Sequence, residues 1–380
     1  GGGGDVRERL TDVMGLGRAL AVTGRLDRAR SLRAEALAAA AEAGDPALAA
    51  DVLSAFAVPA LWPRNDDEAL SRRIVRAAED ALAALPEERP EPGGERRSRL
   101  LSTLALELRG TADGRGERAA RAAEDAARRA DSPGALALAL NARFMHTFQR
   151  PGLAAERARL GAGLVGLAAR HELVTFEVLG HLVCLQARCA LADFAAADAH
   201  AKSADRLAER YELPLVGVFT QWYGALRTAV AGRRAEAEAA YRAAHARLAG
   251  SGMPGMAEGL LPLALLSLRL DAGELDADEL RAWPWGPYEP WVRPLVLLAE
   301  GRGAAAAAAL RELPPSPRDA LYEARLCLAA RAAVTLGDRG TMRELHAELL
   351  PAGGELAGAG SGAVSFGPVA DQLAALVPPG

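Results

Sequence analysis

Arg170-His171-Glu172-Leu173 returns, 40 residues on, as Arg210-Tyr211-Glu212-Leu213. Both quartets belong to a longer stretch, 134–253, that matches itself under the same shift. Gly152, Ala192 and Gly232 coincide, as do Ala155, Ala195 and Ala235. A fixed period in this range marks a helical solenoid, in which one supersecondary unit is stacked repeatedly. The sequence therefore predicts an all-α fold: an α-solenoid of antiparallel helix pairs with a period of about 40 residues. The first helix of each pair is expected on the concave side.

Composition agrees. Half of the 380 residues are apolar yet only 4% are aromatic, so Ala and Leu carry most of the apolar content. These are good helix formers, whereas the β-branched and aromatic runs that favour strands are scarce. The net charge of −4 is not the basic footprint of a free-standing nucleic-acid binder, and no direct nucleic-acid contact is expected. Arg supplies almost all the positive charge, Lys202 being the only lysine. Cys184, Cys189 and Cys327 form an odd set without CxxC spacing. They read as buried free thiols in a reducing cytoplasm rather than a disulfide framework or a zinc site. No signal peptide is legible. The most apolar run, 260–270, carries Pro262 and is too short to span a bilayer.

Along the chain, residues 1–4 are expected to be a disordered linker or an expression scar. Residues 5–252 read as regular repeats resembling the tetratricopeptide (TPR) pattern: a large-small pair, a turn glycine such as Gly24 or Gly232, then small residues where two helices cross. Asp45-Pro46 and Ser132-Pro133 each supply an N-cap followed by a proline at the first helical position. Unit two is expected to turn at 62–66, and 86–95 is a loop by its Pro and Gly content. The arginines of unit three, among them Arg96, Arg99, Arg121 and Arg128, interleave with acids and read as a solvated face rather than a phosphate stripe. Residues 253–380 read as less regular helical repeats. They hold a Trp/Pro-rich interruption, 283–291, and a Gly-rich loop, 352–362, expected to be mobile. The tryptophans Trp283, Trp285 and Trp291 either cover the apolar edge of helix 256–271 or form an exposed docking patch.

Chemistry-bearing motifs are missing. Ala201-Lys202-Ser203 lacks the glycine of a Walker A loop, His171-Glu172 lacks the second histidine of HExxH, and no His-x3-His pair occurs. The glycines 358–362 follow no strand and do not make a dinucleotide fingerprint. No catalytic, cofactor-binding or metal-binding residue is nominated, and the chain is not expected to be an enzyme.

Phe219-Thr220-Gln221-Trp222-Tyr223 with the Gly232 turn, Leu345-His346-Ala347-Glu348-Leu349-Leu350-Pro351-Ala352, and Gly358–Gly362 followed by Phe366-Gly367-Pro368-Val369-Ala370 carry a resemblance. They resemble the C-terminal TPR-like region of large actinobacterial transcriptional regulators, the SARP (Streptomyces antibiotic regulatory protein) and LuxR types. The resemblance covers most of the chain, and its tail segment is the more specific part. It implies a regulatory or sensor domain that receives a ligand or protein partner and controls attached ATPase and DNA-binding modules. A free-standing interaction scaffold and a helical enzyme with an unrecognised site are the alternatives.

The offset also superposes Asn141, His181 and Gln221, one polar residue from the first helix of each central unit, amid apolar neighbours such as Leu138, Val178 and Val218. Equivalent positions of stacked repeats point the same way, so the three are expected to line a ligand or partner groove. Arg143, His146, Trp222 and Tyr223 would add charge and aromatic area. The competing reading has all three buried and bonded to neighbouring helices.

Overall fold

Helix follows helix through the residues that the computed structural model of the chain describes, 2–62, 65, 67–85, 93–273 and 275–377. The first are α1 (Gly2–Val22), α2 (Leu26–Glu42), α3 (Pro46–Ala55), α4 (Glu68–Ala84), α5 (Gly93–Glu107) and α6 (Arg115–Arg129). The centre comprises α7 (Pro133–Met145), α8 (Ala154–Arg170), α9 (Val174–Ala190), α10 (Phe194–Arg210), α11 (Val216–Val230) and α12 (Arg234–Ala246). Then come α13 (Pro254–Ala257), α14 (Leu260–Ala272), α15 (Ala277–Ala282), α16 (Glu289–Ala299), α17 (Gly303–Arg311), α18 (Tyr322–Leu336), α19 (Arg339–Leu349) and α20 (Val369–Leu376). Consecutive helices pack on each other. Among the described residues β pairing is confined to two isolated bridges, Gly110 with Arg318 and Leu356 with Pro368.

The period has a backbone cause. α8, α9 and α10 each run 17 residues, separated by three-residue turns. Each helix is stopped by a residue of positive φ: Glu172 (56°), Ala192 (57°) and Glu212 (54°). The next N–H reaches back to a carbonyl of the last turn, Leu173 to Ala168, Asp193 to Arg188 and Leu213 to Ala208, each at 2.9 Å. This is the Schellman closure of a helix end. The starts are capped as the sequence predicts. Asp45 accepts from the Ala47 N–H and Ser132 from the Ala135 N–H, each followed by its proline.

Two layers result. α9 buries twelve of its 17 residues and α10 three of its 17, so the first helix of each central pair is the inner one. The inner and outer helices touch closely because glycine lies at the crossing: a Cβ on Gly180 would strike Val165 and the Gly161 carbonyl. One hydrophobic core runs from Leu37 to Leu376, and a smaller one joins Leu10, Met14, Ala36, Ala40, Leu48 and Val52.

The superhelix closes on itself. The Trp62 indole N–H donates to the Gly255 carbonyl at 3.0 Å, and Arg30 donates to the Gly252 carbonyl at 2.8 Å. The C-terminal tail lies on α9, with Leu356 N–H on the Ala190 carbonyl at 2.7 Å and the Gln186 amide on the Ser361 carbonyl at 3.0 Å. The concave side is thus occupied, by residues 56–62 from one direction and by 356–366 from the other.

Five expectations are corrected or limited by this arrangement. Gly2–Gly4, read as linker, belong to α1. The Gly-rich tail is not a free loop: Ala357, Ala359, Ser361, Val364 and Phe366 are buried, because glycine and alanine let its backbone approach α9. The loop expected at 86–95 lies outside the described residues up to position 92, and its last residues, Gly93–Glu95, start α5. The turn expected at 62–66 lies partly outside them too. The Trp-rich segment does interrupt the array, between α15 and α16, but Trp285 and Trp291 are buried and Trp283 packs on the core. An exposed tryptophan patch is therefore ruled out. In unit three, Arg96, Arg99, Arg121 and Arg128 pair with Asp51, Glu95, Glu117 and Glu124, as a solvated charged face does.

The turn chemistry makes a stability prediction. Ala192→Gly relieves a left-handed conformation that an L side chain disfavours, so chemical denaturation should show a gain of about 0.5–1 kcal/mol. Gly180→Leu overfills the α8–α9 crossing and should lose about 1–3 kcal/mol in the same assay.

Candidate functional site

The predicted polar ladder does not form one groove. Asn141, on α7, is fully buried, and its carboxamide holds the backbone N–H and carbonyl of a single residue, Ala60. Its oxygen accepts from the Ala60 N–H at 2.8 Å and its nitrogen donates to the Ala60 carbonyl at 2.7 Å. His181, on α9, faces α10, where its Nδ1 lies 2.9 Å from Nδ1 of His200. Gln221 is half-buried on α11 and makes no side-chain hydrogen bond among the described residues. What covers each position differs: a loop over Asn141, a neighbouring helix beside His181.

The auxiliary residues are mostly structural. Arg143 pairs with Glu124 at 2.9 Å and Glu156 at 3.6 Å. His146 is buried with Nε2 2.8 Å from the Ala105 carbonyl, its ring seated where a Cβ on Gly116 would stand. Burial holds its pKa below the usual range despite that bond. Trp222 is fully buried against Tyr241, ring centroids 5.6 Å apart. Tyr223 donates to Asp198, and burial followed by that bond raises its pKa. The three cysteines are buried and free; burial pushes Cys184 up to about 11 and Cys189 up to about 12, which keeps both thiols protonated.

Residues 56–62 instead define a site that sequence reading missed. After α3 this segment has no regular secondary structure and crosses the concave side as a strap. Asn141 grips it at Ala60 and Trp62 anchors its far end on Gly255. Beneath it lies a half-open chamber of about 230 Å³. The strap residues Val58–Trp62 form one wall, Val178, Leu179 and Leu182 of α9 another, and Val216, Phe219 and Met253 a third; Val22 and Leu26 close the end. Among the described residues its polar side chains, apart from the Trp62 indole already bonded to Gly255, are Thr175 and Arg109. The signal available beforehand was indirect. Val178 lay in the apolar surroundings of the ladder and Phe219 in the quoted Phe-Thr-Gln-Trp-Tyr motif, while Pro59 and Trp62 sit in a stretch without helical period.

Arg109, just past α5, also lines a second, polar cleft of about 590 Å³. That cleft lies between α4 and the segment around Trp291, Asp319 and Arg325, with Ser71, Arg72, Arg76 and Glu107 on its α4–α5 side. Glu107 accepts from Arg33 at 2.7 Å and from the Ser71 hydroxyl at 2.5 Å. Burial alone would raise its pKa, but Arg33, Arg109 and these bonds lower it. Among the described residues no three His, Cys, Asp or Glu side chains cluster as metal ligands, and no helix is long and apolar enough to cross a membrane. No family model, no curated protein and no solved structure matches the chain.

Asn141→Leu should strand the Ala60 N–H and carbonyl and destabilise the domain by about 2–4 kcal/mol, read from urea titration. A pH effect follows from the histidine pair. Burial, then His200 and Arg206, push His181 down to about 4 from an ordinary 6.5, and burial followed by Arg188 lowers His200. The unfolded chain then binds more protons in acid, so the stability the pair contributes is whole above pH 6.5 and is lost as pH falls towards 4. Melting temperature against pH should decline across that window, and His181→Gln should flatten the decline.

Proposed function

We propose that this chain is the regulatory or sensor domain of a transcriptional regulator, and that its central chamber receives a small apolar effector. The observation that carries the reading is the chamber: concave, lined almost wholly by aliphatic and aromatic side chains, with two polar groups to orient a guest. Ligand sites in helical proteins have this character. The resemblance around Phe219–Tyr223 and the tail 358–370 supplies the regulatory context, in which effector binding controls attached ATPase and DNA-binding modules. The domain itself contributes no nucleotide site and, at a net charge of −4, is not expected to hold duplex DNA.

A second reading is favoured by Asn141. A carboxamide that grips the backbone N–H and carbonyl of one residue is how a scaffold would hold an extended partner segment, and here it holds the chain's own. On that reading the strap stands in for a partner peptide, and the protein is a free-standing interaction scaffold. A coding sequence with a P-loop ATPase upstream favours the regulator; an independent start near Asp5 favours the scaffold.

The chamber is tested directly by filling it. Val178→Trp should abolish the blue shift of a solvatochromic apolar dye bound to the protein, with the circular dichroism spectrum unchanged. His181→Ala, on the α10 side of the same helix, should leave dye binding intact. Undiminished binding by the Val178→Trp protein would place the guest elsewhere.

A further inference from the structure

Taking the chamber as the effector site, as proposed above, we infer that its guest is an anionic amphiphile: an apolar body of about nine carbon atoms in the chamber and a carboxylate or similar acid on Arg109. Size comes first. A dry cavity of about 150 Å³ holds the six carbons of benzene, and scaling to a chamber of about 230 Å³ gives about nine.

The charge comes from where Arg109 stands. Among the described residues it is the one ionisable side chain on the chamber wall, and it also lines the polar cleft. An amphiphile can therefore lie with its tail among Val178, Leu182 and Phe219 and its head where the two spaces meet. The cleft favours an anion there, since among the described residues five arginines and four carboxylates line it. Arg109 keeps its own bond to the Leu106 carbonyl, at 2.5 Å, and a guanidinium has five N–H donors in a fixed fork. An acid head is thus received as a further partner, in the planar geometry that arginine offers to carboxylates. Glu107 attracts Arg109 by charge, while its two oxygens accept from Arg33 and the Ser71 hydroxyl. An ammonium head would meet Arg109 with like charge, and a neutral alcohol would gain only an uncharged hydrogen bond.

Calorimetric titration with decanoate, decanol and decyltrimethylammonium, each below its micelle concentration, tests this. Decanoate should bind about tenfold tighter than decanol, the advantage of a charge-assisted hydrogen bond, and the ammonium should bind weakest. Arg109→Gln should bring decanoate down to the affinity of decanol, and Arg109→Lys should restore part of the difference. A carboxylate series should peak near nine carbons and weaken beyond it. Equal binding of acid and alcohol by the unmodified protein, or an acid preference that survives Arg109→Gln, would overturn the anionic head while leaving the chamber standing. Failure of every probe, acid, alcohol and ammonium alike, would instead sink the chamber as a ligand site. Should Arg109→Gln fail to fold, the acid-to-alcohol ratio of the unmodified protein and of Arg109→Lys still decides.

Discussion

One carboxamide and the backbone of one residue satisfy each other inside this protein. Asn141 is fully buried, and a buried amide without partners costs free energy comparable to a lost hydrogen bond. The peptide at Ala60 has the same problem, since it belongs to a helix-free segment carried across the inside of a superhelix, where its own neighbours offer no partner. Pairing the two removes both penalties and fixes where the strap lies. The rest of the interior follows from that placement. The strap roofs the space beside α9, Trp62 reaches Gly255 and ties the first repeats to α13, and the solenoid becomes a closed body rather than an open crescent.

The tail closes the other flank by a similar exchange. Leu153 offers no side chain to cap α8. Glu355, some 200 residues further along, accepts from the Ala154 N–H at 3.0 Å instead, and a carboxylate at a helix N-terminus is favourable in its own right. Its second oxygen lies 3.4 Å from the buried Arg157, whose guanidinium sits over the Phe148 ring. Glu323, buried nearby, has its pKa raised, desolvation outweighing the attraction of Arg157. Breaking a buried pair of this kind leaves an uncompensated charge, so the tail is held by the helix it caps. The glycines and alanines at 356–363 make the approach possible by contributing almost no bulk.

These two devices explain what could and could not be read beforehand. Local features were legible. The shift that aligns Glu172 with Glu212 is the spacing of left-handed helix ends, and Asp45-Pro46 and Ser132-Pro133 start helices where they stand. Contacts between distant segments were not. Nothing near Asn141 in sequence says that Ala60 will cover it, so its periodic match with His181 and Gln221 looked like a surface ladder. Nothing near Gly358 says that α9 will receive it, so the glycines looked like a mobile loop. In each case the local pattern was real and the tertiary cover decided its meaning.

On the proposed regulatory reading, the same closure would give the chamber a means of reporting occupancy. The strap is the least regular part of its wall, fixed at Ala60 and Trp62 while Val58, Pro59 and Leu61 face the guest space. Segments held by few bonds are the ones that open first. A guest touching Val58 and Leu61 binds the arrangement in which Asn141 holds Ala60, and binding to one arrangement shifts the population towards it by the difference in affinity. Because Trp62 ends on Gly255, an ordered strap also fixes the junction between the regular repeats and the later ones. On the proposed regulatory reading, effector binding therefore need not move any helix of the array: it has only to tighten the strap that already joins its two halves.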